Sequence, residues 1–108
     1  MKSTRQVSSQ QEKQIAKVLG ARRTSNSGAG KFDKGDLHTD NWLIEAKTCM
    51  ESKKSFSIKK EWLTKMREEQ YANNKSYSSL CFDFGDNGGR YYIIDENTFL
   101  SVIDILEE

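Results

Sequence analysis

Three side chains near the middle of the chain, Asp36, Glu45 and Lys47, have the types and spacing of a site that hydrolyses phosphodiesters. Residues 42–47 read Trp-Leu-Ile-Glu-Ala-Lys and alternate with period two. A strand of this sequence presents Trp42, Ile44 and Ala46 on one face and Leu43, Glu45 and Lys47 on the other. Asp40-Asn41 is a turn pair just before it, so the preceding short strand, entered at Gly35-Asp36, folds back in a hairpin and brings Asp36 towards Glu45. Two carboxylates suit a hard cation such as Mg²⁺, with Mn²⁺ as a substitute, because such an ion takes oxygen donors and leaves positions for water and a substrate phosphate. The ion acidifies water and polarises the scissile phosphate. Lys47 then orients or deprotonates the attacking water and offsets charge on the phosphorane-like transition state. Alone, each residue has an ordinary reading: Glu-x-Lys is common on exposed strands, Asp36 suits a turn, and Glu12 suits the first turn of a helix. The order and spacing of the set favour chemistry.

The elements that position these residues follow from periodicity and punctuation. Residues 1–8 are polar and aperiodic and predict a flexible arm, with residues 9–108 forming a single domain. Ser8 or Ser9 can cap a helix from about residue 10 to the stop at Gly20. Val7, Ile15, Val18 and Leu19 form its apolar stripe, and Glu12, on the same side, leans towards the core. Residues 24–34 are rich in Ser, Asn, Gly and Lys and predict an irregular loop that lets a ligand approach the backbone. After a Ser/Lys-rich connection at 51–57, a helix is predicted over 58–73, with Trp62, Met66 and either Leu63 or Tyr71 facing inward. Strands at 77–84 and 90–94 flank a turn at 85–89, and an amphipathic helix at 96–106 closes the chain. The predicted order is α-β-β-β-α-β-β-α, an α/β domain.

The run Glu12, Arg22-Arg23, Ser27-Gly28-Ala29-Gly30, Gly35-Asp36-Leu37 and Leu43-Ile44-Glu45-Ala46-Lys47 resembles the archaeal-type Holliday junction resolvases and their phage relatives, within the PD-(D/E)xK nuclease superfamily. The likeness runs from Glu12 to about residue 95. It implies a restriction-endonuclease-like central mixed sheet flanked by helices. It also implies a Mg²⁺ site drawn from Glu12, Asp36, Glu45 and Ala46, with Lys47 beside it, and a contributing serine for which Ser27 is the matching position. Members of the family are homodimers that place paired nicks across a four-way DNA junction. Gly35 stands where the family's name-giving proline would be, and the hairpin between Asp36 and Glu45 is short.

Composition agrees with a polyanion partner. At 108 residues the chain has room for one core, and its net charge is +1. Residues 1–31 nevertheless carry Lys2, Arg5, Lys13, Lys17, Arg22, Arg23 and Lys31 against Glu12 alone, whereas residues 83–108 have Arg90 as their only base. Lys13, Arg22, Arg23, Lys31, Lys34, Lys53, Lys54, Lys59 and Lys60 are the candidate phosphate contacts. Two nicks by one-site chains require a C2 homodimer, with apolar residues near Trp62, Phe82 and Phe99 as candidate interface. No stretch approaches the roughly 18 apolar residues of a membrane span, and no signal-peptide h-region opens the chain, so a cytoplasmic protein is expected. The resemblance to phage resolvases adds a phage-encoded protein acting in its host cytoplasm as one form of that expectation. Cys49 and Cys81 are too few for a disulfide framework and read as reduced, inert thiols. A P-loop fails because Phe32 follows Gly30-Lys31 and Ser25 stands where glycine is needed. His38, the only histidine, removes most zinc-protease and Ser-His-Asp options and reads as surface. Trp42 and Trp62 read as core or dimer interface rather than base-stacking platforms. Two alternatives remain: a restriction-like or repair nuclease acting on duplex or flap DNA, and a non-catalytic DNA-binding module in which Asp36 and Glu45 serve solubility.

Overall fold

The strand read from the alternation at 42–47 is β3 (Trp42–Lys47), the centre of a five-stranded sheet. A computed structural model describes residues 4–23, 36–49, 51–85 and 88–108, with residues 4–9 and 36 in backbone only. The elements are α1 (Thr4–Leu19), β1 (Arg22–Arg23), β2 (Asp36–His38), β3, α2 (Lys60–Ala72), β4 (Tyr77–Phe82), β5 (Tyr91–Ile93) and α3 (Glu96–Leu106). Strands lie in chain order across the sheet. Neighbours are antiparallel except β3 and β4, which run parallel and are joined through α2. A parallel pair needs such a crossover, and a helix supplies it. Among the described residues the protein is thus a mixed α/β fold with a five-stranded mixed sheet and three helices.

Each face of β3 seeds its own core. Ile44 packs with Leu37, Cys81 and Ile15 of α1, with Trp42, Ala46, Ala16 and Ala21 around them. On the opposite face Leu43 packs with Leu80 and Met66 of α2, bordered by Trp62, Leu63, Phe82 and Ile93. The side chains that α1 and α2 bury are therefore those the alternation assigned to the two faces.

Three expectations need correction. The arm expected at 1–8 is helical from Thr4, because residues 4–9 contain neither Gly nor Pro and serine costs a helix only a few tenths of a kcal/mol. Ser8 and Ser9 are therefore interior residues rather than caps, and Glu12 lies in mid-helix, with no acid in the first turn. Val18, assigned to the apolar stripe, is 70% exposed, and Tyr71 faces out while Leu63 turns in. Residues 1–3, the loop at 24–34, Gly35, and Asp86 and Asn87 of the 85–89 turn lie outside the described residues.

Punctuation behaves as its chemistry requires. Gly20 ends α1 at φ +66°, a left-handed conformation that glycine adopts without strain. Gly85 has φ +82°, and a Cβ there would meet the Glu51 carbonyl oxygen at 2.2 Å, so glycine alone lets the 48–59 connection pass the β4–β5 turn. Asp95 caps α3, its Oδ1 accepting from the Thr98 backbone N–H at 2.9 Å. Thr98 is buried, whereas Phe99, Leu100, Ile105 and Leu106 of the same helix are at least half exposed. Among the described residues no helix is long and apolar enough to cross a membrane.

Candidate active site

β3 carries Glu45 and Lys47 on the α2 side of the sheet, near the end where its parallel neighbour β4 also finishes. Lys47 Nζ lies 3.2 Å from Glu45 Oε1, with the two side chains 27% and 14% exposed. The β2–β3 register sets Asp36 directly opposite Glu45. Opposed positions of an antiparallel pair stand about 5 Å apart at Cβ and share a face. Glu45 Oε2 is buried and has no hydrogen-bond partner among the described residues. A carboxylate oxygen stripped of water without a donor costs several kcal/mol, and a cation is the partner that removes the cost. A hard divalent ion is the kind of cation that such an oxygen would take, and β2 sets the backbone of Asp36 opposite it.

No group of three or more His, Cys, Asp or Glu side chains gathers among the described residues, which exclude the side chain of Asp36. Glu12 does not join Glu45. Its Oε1 accepts from Arg23 Nη2 at 3.2 Å, and α1 packs on the Ile44 face, across the sheet from Glu45 and Lys47. Helical spacing correctly gives Glu12 an inward lean, but it cannot tell which side of the sheet the helix covers. Ala46 packs its methyl group in the α1-side core, so only its backbone carbonyl is a possible ligand. Ser27, Lys31 and Lys34 lie outside the described residues.

The basic residues divide into paired and open groups. Arg22 reaches Asp40 at 3.5 Å, and Arg23 holds Glu12. Lys13 is exposed on α1. Lys53, Lys54, Lys59 and Lys60 are all exposed along the connection that leaves the β3 end and enters α2, a basic rim that meets the site at Lys59, which shares the Trp62 ring with Lys47. This connection is tied down by the Lys53 N–H, which donates to the Phe84 carbonyl at 2.8 Å, and by Phe56, stacked on Phe82 at 4.7 Å. Lys47 Nζ also sits 4.4 Å from the Trp62 ring centroid, and Lys59 Nζ 5.7 Å from the same ring. Trp62 therefore borders the site as well as the core.

Gln11 is a residue the sequence reading missed. It is buried, and its Nε2 donates to Asp83 Oδ2 at 3.0 Å and to the Lys47 carbonyl at 3.4 Å, while Thr48 Oγ1 donates to its Oε1. The amide thereby ties α1 to the ends of β3 and β4, just behind the strand residue that carries the amine. Its signal was its place four residues before Ile15, a core-facing helical position occupied by a polar side chain.

The thiols take no part. Cys49 and Cys81 are free and buried, and burial raises the Cys81 thiol. Its neighbour Tyr92 is pushed up to about 12, first by burial and then by Cys81. A cavity of about 410 Å³ lies between α2 and α3, lined by Met66, Gln70, Tyr77, Ile93 and Thr98 among others, and neither Glu45 nor Lys47 borders it. The acid-amine pair therefore lies outside that cavity. Comparison with protein-family models, curated proteins and solved structures finds no match to this chain.

Proposed function

We propose that this protein is a Mg²⁺-dependent DNA endonuclease that resolves four-way junctions by paired nicks, acting as a C2 homodimer on a restriction-endonuclease-like sheet. The observation that carries the reading is Glu45 Oε2, a buried carboxylate oxygen with no donor among the described residues, beside Lys47 and opposite Asp36 in register. Glu45 and Asp36 would hold the metal. When bound, the ion supplies positive charge to the attacking water and to the scissile phosphate. Lys47 Nζ, anchored by Glu45 Oε1, donates to the phosphate oxygen on which charge builds. Lys53, Lys54, Lys59 and Lys60 seat the backbone at the open rim without reading bases. Glu12 is left out of the metal shell because Arg23 holds it on the far face.

The test compares a labelled four-way junction with duplex, flap and single strand at equal concentration, in Mg²⁺ and in excess chelator. Paired nicks at the junction that vanish in chelator are expected, with Glu45→Gln and Asp36→Asn binding the junction without cutting it. Undiminished cutting in chelator removes the metal from the reading, and wild-type cutting by either variant removes the site. Equal cutting of junction and duplex leaves a nuclease of the restriction or repair type. Binding with no cutting of any substrate leaves a DNA-binding module.

A further inference from the structure

We infer that Trp62 is a positioning residue for Lys47: its indole face holds the ammonium at the spot where Glu45 also meets it. The inference rests on the nuclease reading for its consequence, though not for its geometry. Lys47 Nζ lies 4.4 Å from the Trp62 centroid and 3.2 Å from Glu45 Oε1, so two unlike partners fix one flexible amine. A partly exposed ion pair alone holds a lysine weakly, because a four-carbon stem has many rotamers and water screens the charge. The ring adds a second point of attachment. It also does so in a way that suits a phosphate substrate. A second carboxylate would anchor Lys47 equally well, but it would take another of the three N–H donors and repel the phosphate. The π face attracts the ammonium through its quadrupole, adds no net charge, and leaves N–H donors for the incoming oxygen.

The ring is itself held in place. Trp62 lies on the first turn of α2, its backbone N–H bonded to the Lys59 carbonyl at 3.0 Å. Phe56 flanks the ring at 6.3 Å and is anchored by stacking on Phe82 at 4.7 Å. Lys59 Nζ, 5.7 Å from the same centroid, places a second cation at the ring. An aromatic residue serving the core alone would not need to present its face to two ammonium groups.

The experiment compares wild type, Trp62→Phe, Trp62→Leu, Lys47→Ala and the Lys47→Ala/Trp62→Leu double variant, reading kcat and KM for nicking and the side-chain NMR signals of Lys47. Trp62→Leu is expected to lower kcat about tenfold at unchanged KM, with Trp62→Phe in between, in keeping with a cation–π contact at a partly buried site. In the Lys47→Ala background the same change should have no further effect on kcat, because the ring acts only through the amine. In wild type the Lys47 ε-methylene protons should be shifted upfield by the ring current, returning to free-lysine positions and sharpening in Trp62→Leu. Trp62→Phe, which keeps a ring in the same packing, carries the comparison if Trp62→Leu does not fold. Losses that add in the double variant, or free-lysine signals in wild type, overturn the inference. A wild type that does not cut overturns the nuclease reading, and the NMR arm still decides whether Trp62 holds Lys47.

Discussion

The two faces of β3 are made from alternate residues of one six-residue strand, and they serve different ends. On the α1 side Trp42, Ile44 and Ala46 are apolar throughout, and Ile44 is almost wholly buried beneath Ile15. On the α2 side the face begins the same way, with Leu43 fully buried against Met66 and Leu80, and then changes character at Glu45 and Lys47. One face is filled to its end by the core. The other leaves the core half-way and ends in charge beside the Trp62 ring and the basic rim. Period-two geometry lets a strand anchor the fold with one set of side chains and carry chemistry with the other, so the two roles are separable by mutation.

That separability gives the largest expected contrast. Ile44→Ala should destabilise the protein by about 3 kcal/mol through lost burial and the cavity left behind, with the surviving folded fraction still cutting DNA at the wild-type rate. Glu45→Gln should abolish cutting yet change stability by less than about 1 kcal/mol, because the lost ion pair with Lys47 is offset by removing charge from a buried oxygen with no donor among the described residues, and Lys47 keeps the Trp62 ring. Urea titration of both variants beside the junction assay measures the two effects. A Glu45→Gln protein as unstable as Ile44→Ala would make Glu45 a structural residue and break the comparison.

The same contrast explains what could be read from the sequence. Alternation over 42–47 assigned every β3 side chain to its face, since a strand has only two faces and the hydrophobic pattern labels one of them. The closing helix was legible at both ends, since the amphipathic run predicted over 96–106 is α3, Glu96–Leu106. The start of α1 was not, because a serine pair offers a cap signal that the helix-forming residues before it override. The predicted order counts three strands before the second helix, as observed, but gave the first no residues: β1, Arg22–Arg23, is two exposed residues that pair with β2 through their backbones. The site was half legible. Spacing placed Glu45 and Lys47 on one face, but Glu12's true partner, Arg23, and the Gln11 amide behind Lys47 depend on how α1 lies across the sheet, which spacing on one helix does not specify.

A smaller effect sharpens the comparison from outside β3. Asp95 holds α3 to the body of the protein, with Arg67 Nη2 donating to its Oδ2 at 2.5 Å and Thr98 to its Oδ1. Hydrogen bonds from Thr98, and then from Arg67, hold the carboxyl down to about 2, against its usual 3.8. A carboxyl depressed in the folded state adds stability that is present in full above the unfolded value and is lost as pH falls from there towards about 2. Asp95→Ala should therefore cost about 1 kcal/mol at neutral pH, a figure that allows for solvent screening of this partly exposed pair. The gap between variant and wild type should shrink steeply as pH falls from about 4 through about 2, while the neutral-pH cutting rate of folded protein stays unchanged. A gap of the same size at pH 2 and pH 7, measured by thermal melting, would show that Asp95 acts without its charge.

The central claim, that the charged end of β3 is a metal site, is tested most directly by titrating the protein with Mn²⁺ in the absence of DNA and following paramagnetic broadening of backbone amide signals. The account predicts broadening centred on Asp36 and Glu45, displaced by excess Mg²⁺ and lost in Glu45→Gln, while amides at the far end of α3, such as those of Ile105 and Leu106, remain comparatively sharp. Broadening that survives Glu45→Gln unchanged, or that centres on another part of the molecule, would contradict it.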